Sequence, residues 1–347
     1  MSIWIMAAAF LASIATPEPL VIAHRGASGE RPEHTLAAYE LAIAQGADFI
    51  EPDLVLTRDG HFVARHENEI GETTDVAQRS EFAKRRRTQR IDGAKVTGWF
   101  TEDFTLAELR TLRARERLPQ LRPGNTAYDG RFKIPTFEEV VALARQRSAE
   151  QGRTLGVYPE LKHPAHFRAV GLPMEDAFVR LLARHGLDTE EAPIFVQCFE
   201  VGPLERLRTL TGARLIQLID ASGGPADRPD LRYRDMVRPE GLRQIARYAH
   251  GIGPAKTLIV PRTPLGRSRR PTRLVADARE AGLAVHPWTF RSENFFLPAE
   301  LRRGLDPRAH GDAAAEYRLF YELGVDGVFS DFPAAAVAAR GVSGGAP

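Results

Sequence analysis

Cysteine is nearly absent from this sequence. Cys198 is the only one among 347 residues, so no intrachain disulfide can form. That excludes the small, loop-rich scaffolds that depend on disulfide bonds, and it fits an oxidising or a reducing compartment equally well. No cysteine stands near the N-terminus to carry a lipid anchor.

Long apolar runs are also missing, with one short exception at the N-terminus. Residues 3–14 are apolar, about the length of a signal-peptide core and too short to cross a bilayer. Small residues around Ser13 and Ala15 suit a cleavage site, although no Lys or Arg precedes the run. We predict a signal peptide over residues 1–16, a periplasmic or secreted protein, and no stable membrane insertion. The alternative is an apolar segment that packs on the folded protein.

The chain has no large excess of charge of either sign. Its formal net charge is +2, which does not by itself indicate a nucleic-acid partner. Basic residues cluster at 84–87 and within 262–273, and neither stretch carries the interleaved aromatic residues on which bases stack. We interpret both as solvated loops and predict no nucleic-acid partner. With 43% hydrophobic and 27% charged residues, the composition is that of a globular protein.

Short apolar runs alternate with helix-like segments along most of the chain. Helical periodicity marks residues 35–45, 106–116 and 136–147. This alternation predicts an α/β fold, a parallel TIM (β/α)₈ barrel. A doubly wound open sheet fits the same alternation, but no glycine-rich dinucleotide turn is present. The strand candidates are 20–23, 49–56, 155–161, 194–199, 214–219, 257–260, 283–289 and 327–330.

We assign residues 17–340 to a single barrel domain with an insertion over about 58–135. Residues 57–66 have the pattern of an antiparallel excursion after the second barrel strand, with a turn at 58–60. Residues 68–135 are too long and too polar for an ordinary loop. They predict a small cap beside the mouth of the barrel.

Charged residues stand where three of the predicted strands end. His24 and Arg25 close the first strand, Glu51 and Asp53 lie two residues apart on the second, and Glu160 and Lys162 do so on the third. Residues i and i+2 of a strand point to the same side, about 6–7 Å apart, and barrel enzymes build their sites at these ends. Three acids meeting there predict one divalent cation with oxygen ligands, Mg²⁺ or Ca²⁺ rather than zinc. The alternative for Glu160 and Lys162 is a structural ion pair.

An ordered set of motifs covers almost the whole chain. It includes HRGASGERPEHTLAAY at 24–39, GADFIEPDLVLTRDG at 46–60, VARHENEIGETTDVA at 63–77, VYPELKHP at 157–164, VHPWTFR at 285–291 and DGVFSDFP at 326–333. The set resembles the glycerophosphodiester phosphodiesterase family, and specifically its longer, secreted bacterial branch. The resemblance implies a TIM barrel and a metal-dependent hydrolase of glycerophosphodiesters such as glycerophosphocholine and glycerophosphoethanolamine. The products would be sn-glycerol 3-phosphate and an alcohol.

The resemblance also implies roles for individual residues. His24 and His66 would be the general acid and base, with the assignment between them open. The cation would bind Glu51, Asp53 and Glu160, with Ca²⁺ favoured over Mg²⁺. The charges of Arg25 and Lys162 suit a phosphodiester, while Phe199 and Trp288 would line the alcohol pocket unless they belong to the core.

Other residues near these motifs are not assigned to the site. Glu33 and His34 are expected to start the first helix, where the helix dipole would stabilise the Glu33 carboxylate; the alternative for Glu33 is that it orients the site. Glu67 stands where the family often has Asp, and we assign no role to His163, His166 or His286.

Two other functions fit the same barrel. One is a phospholipase-D-like enzyme acting on lysophospholipid or sphingolipid head groups, which should require an exposed apolar rim. The other is a catalytically silent binding module, which would be expected to have lost some of the six residues His24, Glu51, Asp53, His66, Glu160 and Lys162. All six are present.

Overall fold

The structure is a computed structural model, and it describes residues 18–343. The predicted signal peptide, residues 1–16, lies outside the described residues. The strands are β1 (Leu20–His24), β2 (Phe49–Glu51), β3 (Asp53–Leu56), β4 (Phe62–Ala64), β5 (Arg87–Ile91), β6 (Ala94–Gly98), β7 (Gly156–Val157), β8 (Glu160–Leu161), β9 (Phe195–Cys198), β10 (Arg214–Ile219), β11 (Gly251–Pro254), β12 (Ala284–Val285) and β13 (Gly327–Ser330).

Helices fill most of the connections between these strands. They are α1 (Leu36–Ala44), α2 (Leu106–Leu109), α3 (Phe137–Gln151), α4 (Pro164–Ala169), α5 (Glu175–Arg184), α6 (Val201–Leu210), α7 (Tyr233–Met236), α8 (Pro239–Ile245), α9 (Lys256–Ile259), α10 (Leu274–Glu280), α11 (Ala313–Glu322) and α12 (Pro333–Ser343). Short 3₁₀ helices lie at Val76–Gln78, Ser80–Arg85, Thr101–Asp103, Pro123–Tyr128 and Ala299–Leu301. None of the helices in residues 18–343 is long and apolar enough to cross a membrane.

Parallel strands close into the predicted barrel. Neighbours run in the order β13, β1, β2, β7 on one side and β12, β11, β10, β9, β8, β3 on the other. Pro52 separates β2 from β3, and Pro159 lies between β7 and β8, so each of these pairs forms one interrupted barrel strand. A parallel bridge between Phe290 and Ser330 joins the chain after β12 to β13 and closes the ring. The (β/α)₈ prediction is therefore confirmed.

Apolar side chains fill the interior of the barrel below one end. Each of these apolar residues precedes a residue at the mouth by two positions in the sequence. Because residues i and i+2 of a strand point to the same side, the apolar residues form one inward-facing layer and the mouth residues form the next layer. This pattern gives the barrel a dry floor under the ends of its strands. The floor consists of Ile22, Phe49, Tyr158, Phe195, Ile216 and Phe329, packed with Leu20 and Trp288.

One of the predicted barrel strands is wrong. Residues 257–260 belong largely to α9, and the barrel position is taken by β11, whose sequence Gly-Ile-Gly-Pro resembles a turn. The glycines are needed because neighbouring strands pass very close. A Cβ on Gly251 would lie 2.7 Å from the carbonyl oxygen of Ala284, and one on Gly253 would lie 2.6 Å from the Leu218 side chain.

The predicted helix at 106–116 is also shorter than expected. α2 contains only Leu106–Leu109, with a Thr105–Glu108 capping box at its start. Beyond it, the Asp75 amide donates to the Arg113 carbonyl at 3.0 Å, and the Arg113 amide donates to Asp75 Oδ1 at 2.8 Å. Pairing with this distant segment replaces the bonds that would continue the helix.

The chain between β3 and β7 forms secondary structure of its own, and its role as a cap stays a prediction. β4 pairs antiparallel with β3, with Leu54 opposite Ala64, and β5 and β6 form a separate two-stranded hairpin. The hairpin turns at Asp92 and Gly93, both at positive φ, as a two-residue turn requires. Arg122 anchors the end of the insertion in the barrel: it is buried and donates to Glu293 and Asp331 at 2.6 Å each.

Candidate active site

The three predicted acids meet at the mouth of the barrel. Asp53 and Glu160 are register partners on β3 and β8, and Glu51 pairs with His24 across β1 and β2. One carboxylate oxygen from each of Glu51, Asp53 and Glu160 lies within 4.8 Å of the others, and each residue is 5% exposed or less. The i and i+2 spacing on an interrupted strand therefore does bring Glu51 and Asp53 together.

Burial changes how these acids ionise. Burial and the neighbouring charge of Asp53 raise the pKa of Glu51 well above its usual range. Burial, only partly offset by Lys162, raises the pKa of Glu160 to about 8. Burial also disfavours the Asp53 carboxylate, but Lys162 and a 2.9 Å hydrogen bond from His34 Nε2 hold its pKa well below normal. The cluster therefore keeps part of its protons at neutral pH.

The donor set fits a hard divalent cation. All three side chains offer carboxylate oxygen, the ligand that Ca²⁺ and Mg²⁺ prefer. Gln197 lies beside the cluster: its Nε2 donates to Glu51 at 3.0 Å, and its buried Oε1 has no hydrogen-bond partner within residues 18–343. A cation would replace the retained protons and remove the repulsion between the acids.

The two predicted phosphate-binding residues lie against these acids. Lys162 Nζ is 2.8 Å from Glu160, so the ion pair considered as an alternative is formed. Arg25 donates its backbone N–H to Glu51 at 2.8 Å and Nη1 to Glu33 at 3.0 Å, with Nε 3.4 Å from Asp53. Both cations also line the main cavity, about 630 Å³ in volume.

Glu33 differs from its expected place at a helix start. α1 begins at Leu36, and its N-cap is Thr35, whose hydroxyl accepts the Ala38 amide. Glu33 lies before the cap and holds two arginines instead, Arg25 at 3.0 Å and Arg117 at 2.7 Å. These cations lower its pKa well below normal despite burial. The dipole interpretation was therefore wrong.

His24 is held by an acid from the last barrel strand. Its Nδ1 is 2.6 Å from Asp331 Oδ1, and a carboxylate at this distance accepts the Nδ1 proton, which leaves Nε2 as the acceptor nitrogen. Asp331 also accepts from Arg122 at 2.6 Å and Arg291 at 2.8 Å. Burial and the charge of Arg25 lower the pKa of His24 to about 4, so the ring is neutral at pH 7.

His66 has a matching arrangement on the other side of the site. Its Nδ1 contacts the Glu67 carboxylate, which in turn accepts from Arg117 at 2.6 Å. Burial, with Arg25 and Lys162 nearby, lowers the pKa of His66 to about 3. Glu67, which stands where the family often has Asp, therefore contacts the His66 ring directly. Each histidine has a carboxylate on Nδ1 and presents Nε2 as an acceptor.

Phe199 and Trp288 line the main cavity as half-buried rings. The rings meet edge to face at 5.7 Å, and the Trp288 indole donates to the Gly253 carbonyl at 2.7 Å. Both rings pack against the core and line the cavity, and their role in an alcohol pocket stays a prediction.

Other residues complete the site without having been predicted. Asp331, Gln197 and His34 contact His24, Glu51 and Asp53 respectively. Arg117, Arg122 and Arg291 contact the carboxylates beside the two histidines, Glu67 and Asp331. The SDFP motif at 330–333 could have indicated Asp331. The unassigned histidines make other contacts: His163 with Asp92, His166 with Glu102, and His286 with Tyr158 inside the barrel.

Comparison with known proteins identifies the family. Residues 24–335 match the glycerophosphoryl diester phosphodiesterase family. The chain belongs to this family. Glycerophosphodiester phosphodiesterase GDPD6 of Arabidopsis thaliana is 38% identical over 91% of this chain and 84% of its own. The Haemophilus influenzae glycerophosphodiester phosphodiesterase is 28% identical over 91% of this chain and 88% of its own.

Solved structures of the family share the fold. A glycerophosphoryl diester phosphodiesterase from Silicibacter pomeroyi superposes with a TM-score of 0.65 at 22% identity, covering 95% of each chain. An Oleispira antarctica phosphodiesterase in complex with the product sn-glycerol-3-phosphate gives a TM-score of 0.62 at 22% identity. It covers 93% of this chain and 96% of its own.

Proposed function

We propose that this protein is a metal-dependent phosphodiesterase that hydrolyses glycerophosphodiesters to sn-glycerol 3-phosphate and an alcohol. One observation carries the proposal: two neutral histidines, each with a carboxylate on its Nδ1, line the same cavity as Arg25, Lys162 and two acids of the three-carboxylate cluster. His24 is buried and His66 is half-buried. Family membership supports the substrate class, and glycerophosphocholine and glycerophosphoethanolamine are the first substrates to test.

The side chains support an acid–base route through a cyclic phosphate. The glycerol hydroxyl next to the phosphate attacks phosphorus and gives its proton to the Nε2 of one histidine. The bond from phosphorus to the alcohol oxygen breaks, and the other histidine, protonated for this step, supplies the proton that the leaving alcohol takes. Water then opens the cyclic phosphate to sn-glycerol 3-phosphate. His24 and His66 suit these steps because their Nδ1 partners fix the tautomer and stabilise the charge that each ring gains.

The remaining residues would neutralise the charge of the phosphoryl group or bind the alcohol. Arg25 and Lys162 would bind phosphoryl oxygens. Glu51, Asp53 and Glu160 would hold the cation, which when bound supplies Lewis-acid stabilisation of charge on the phosphoryl group. Phe199 and Trp288 would pack against the alcohol.

The two alternative functions have less support. A lipid substrate should require a continuous apolar rim, and Phe295, 60% exposed, is a single such residue on the cavity wall. Leu265 and Leu305 are exposed but do not line that cavity. A silent binding module would not need both histidines supported by carboxylates.

We expect metal dependence. Chelation followed by buffer exchange should abolish hydrolysis of glycerophosphocholine and bis(4-nitrophenyl) phosphate, because the clustered acids then recover their protons. Added Ca²⁺ should restore the rate better than Mg²⁺, since Ca²⁺ tolerates irregular oxygen sites. Glu51→Gln should weaken metal binding, and the exposed Glu72→Gln is the matched control. Full turnover by chelated protein with no metal by elemental analysis would contradict the proposal.

The histidines should carry the chemistry. His24→Ala and His66→Ala should each lower kcat by about 10² or more, the usual contribution of a positioned acid or base. Metal affinity should change little, because neither ring is assigned as a ligand. The control is His61→Ala, at an exposed histidine between β3 and β4, which should behave as wild type. If one active-site variant kept near-normal turnover, that histidine would be structural.

Arg25 and Lys162 should bind phosphate. Arg25→Ala and Lys162→Met should weaken the binding of inorganic phosphate, measured by calorimetry, by about 1.5–3 kcal/mol, the usual value of a charge-assisted contact. Metal affinity should hold or improve slightly, because a nearby positive charge is removed. The control is Lys133→Met at an exposed position. Loss of thermal stability in Lys162→Met with unchanged phosphate affinity would mean that the ion pair with Glu160 is its whole function.

We also propose export, supported by the apolar residues 3–14. The barrel with its insertion, residues 17–340, would form the exported unit. Expressed at full length in a bacterium, the protein should be recovered from the periplasm or medium with a mature N-terminus near residue 17. Recovery only from the cytosol, with Met1 intact, would refute this.

A further inference from the structure

A second cavity lies beside the active site. It has a volume of about 330 Å³, within the range of small-molecule pockets, ~300–1,000 Å³. Glu160, Lys162, Phe199 and Asp220 line both this cavity and the main one. The second cavity is therefore reached directly from the place assigned to the phosphoryl group.

Glu200 forms part of its wall and has an unused oxygen. The residue is 3% exposed; Oε2 accepts a hydrogen bond from the Ala165 amide at 2.9 Å, while buried Oε1 has no hydrogen-bond partner in the described part of the chain. Burial, with the like charges of Asp227 and Asp92, raises the pKa of Glu200 to about 8. A buried carboxyl oxygen without a donor is costly, and a cation or donor in the cavity would satisfy it.

The other acids around this cavity are spread out. Asp92 is paired with His163 at 2.7 Å, and Asp220 is exposed at the junction with the main cavity. Within residues 18–343, the acids and histidines close enough to hold one metal ion are the cluster of Glu51, Asp53 and Glu160. Dispersed negative charge of this kind suits a large organic cation better than a metal ion.

Aromatic rings supply the remaining recognition. Phe199 and Tyr233 line the cavity, with centroids 6.3 Å apart and planes inclined at 65°. Aromatic faces beside carboxylates are the usual environment for quaternary ammonium groups. The residues that line the second cavity include four acids, Asp92, Glu160, Glu200 and Asp220, and the cation Lys162. The far wall of the main cavity carries three cations instead, Lys256, Arg262 and Arg291, each paired with Glu316 or Asp331.

We propose that the cavity around Glu200, Asp220 and Tyr233 is the subsite for a cationic alcohol, a choline-type ammonium group, on the leaving side of the substrate. The inference rests on the proposed function, and it deepens it by naming a preferred class of glycerophosphodiester. The ammonium would lie against the rings of Phe199 and Tyr233, with Asp220 as its counter-ion. Glu200 would release its proton to solvent when the ammonium binds and become the second counter-ion.

Steady-state kinetics on two substrates tests the subsite. Glycerophosphocholine has a cationic alcohol and glycerophosphoglycerol a neutral one on the same linkage. Glu200→Gln and Asp220→Asn should raise KM for the choline diester by about 10-fold or more, and leave KM for the glycerol diester within about twofold. Glu205→Gln makes the same change on the exposed side of α6 and should alter neither. Equal effects on the two substrates would overturn the subsite and leave the phosphodiesterase intact.

A binding experiment separates the subsite from the catalytic proposal. Choline chloride titrated calorimetrically into the full-length protein should bind, and Glu200→Gln should weaken that binding by about 10-fold. Asp220→Asn, at an exposed position, gives a second variant should Glu200→Gln fail to fold. Glu200-dependent choline binding without hydrolysis of either diester would support the subsite and refute the proposed function. No choline binding, or equal binding by wild type and both variants, would overturn the subsite.

Discussion

The mutual repulsion of three buried carboxylates governs the organisation of this molecule. Glu51, Asp53 and Glu160 lie together almost without contact with water, where like charges cannot all persist unaided. The pKa values of Glu51 and Glu160 are raised, whereas Lys162 and His34 keep Asp53 ionised. Each neighbouring cation is thus placed by the need to balance charge, and the same cations surround the position where a phosphodiester would bind.

The apolar layer beneath the mouth strengthens this repulsion. Site residues follow floor residues at a spacing of two: Phe49 precedes Glu51, Tyr158 precedes Glu160, and Phe329 precedes Asp331. Since the rings exclude water from below, burial is the largest influence on the pKa of each acid in the cluster and of both histidines. The same alternation that makes a strand fit the barrel therefore also sets the protonation of the site.

The sequence predicted those features of the fold and the site that depend on local residue patterns. The barrel, the acid cluster and the first two strand ends follow from alternation and from i, i+2 spacing, which a strand preserves wherever it lies. The glycine-rich strand β11 was missed because close approach of Ala284 and Leu218, rather than side-chain propensity, makes it a strand. Asp331 was missed as the partner of His24 because 307 residues separate them. A local sequence pattern cannot indicate a contact that forms only when the barrel closes.

The insertion shows the same limit and adds a functional consequence. Arg117 bridges Glu33 and Glu67, the acids that contact Arg25 and His66, and Arg122 contacts Asp331, the acid on His24. Two arginines in one inserted segment therefore support both histidines and the arginine that faces the acids. A polar stretch that the sequence predicts only as a cap thus supplies the charges that keep the acids beside the histidines ionised. These acids then accept hydrogen bonds from Nδ1 of His24 and His66, so the orientation of the two rings depends on the insertion as well as on the barrel.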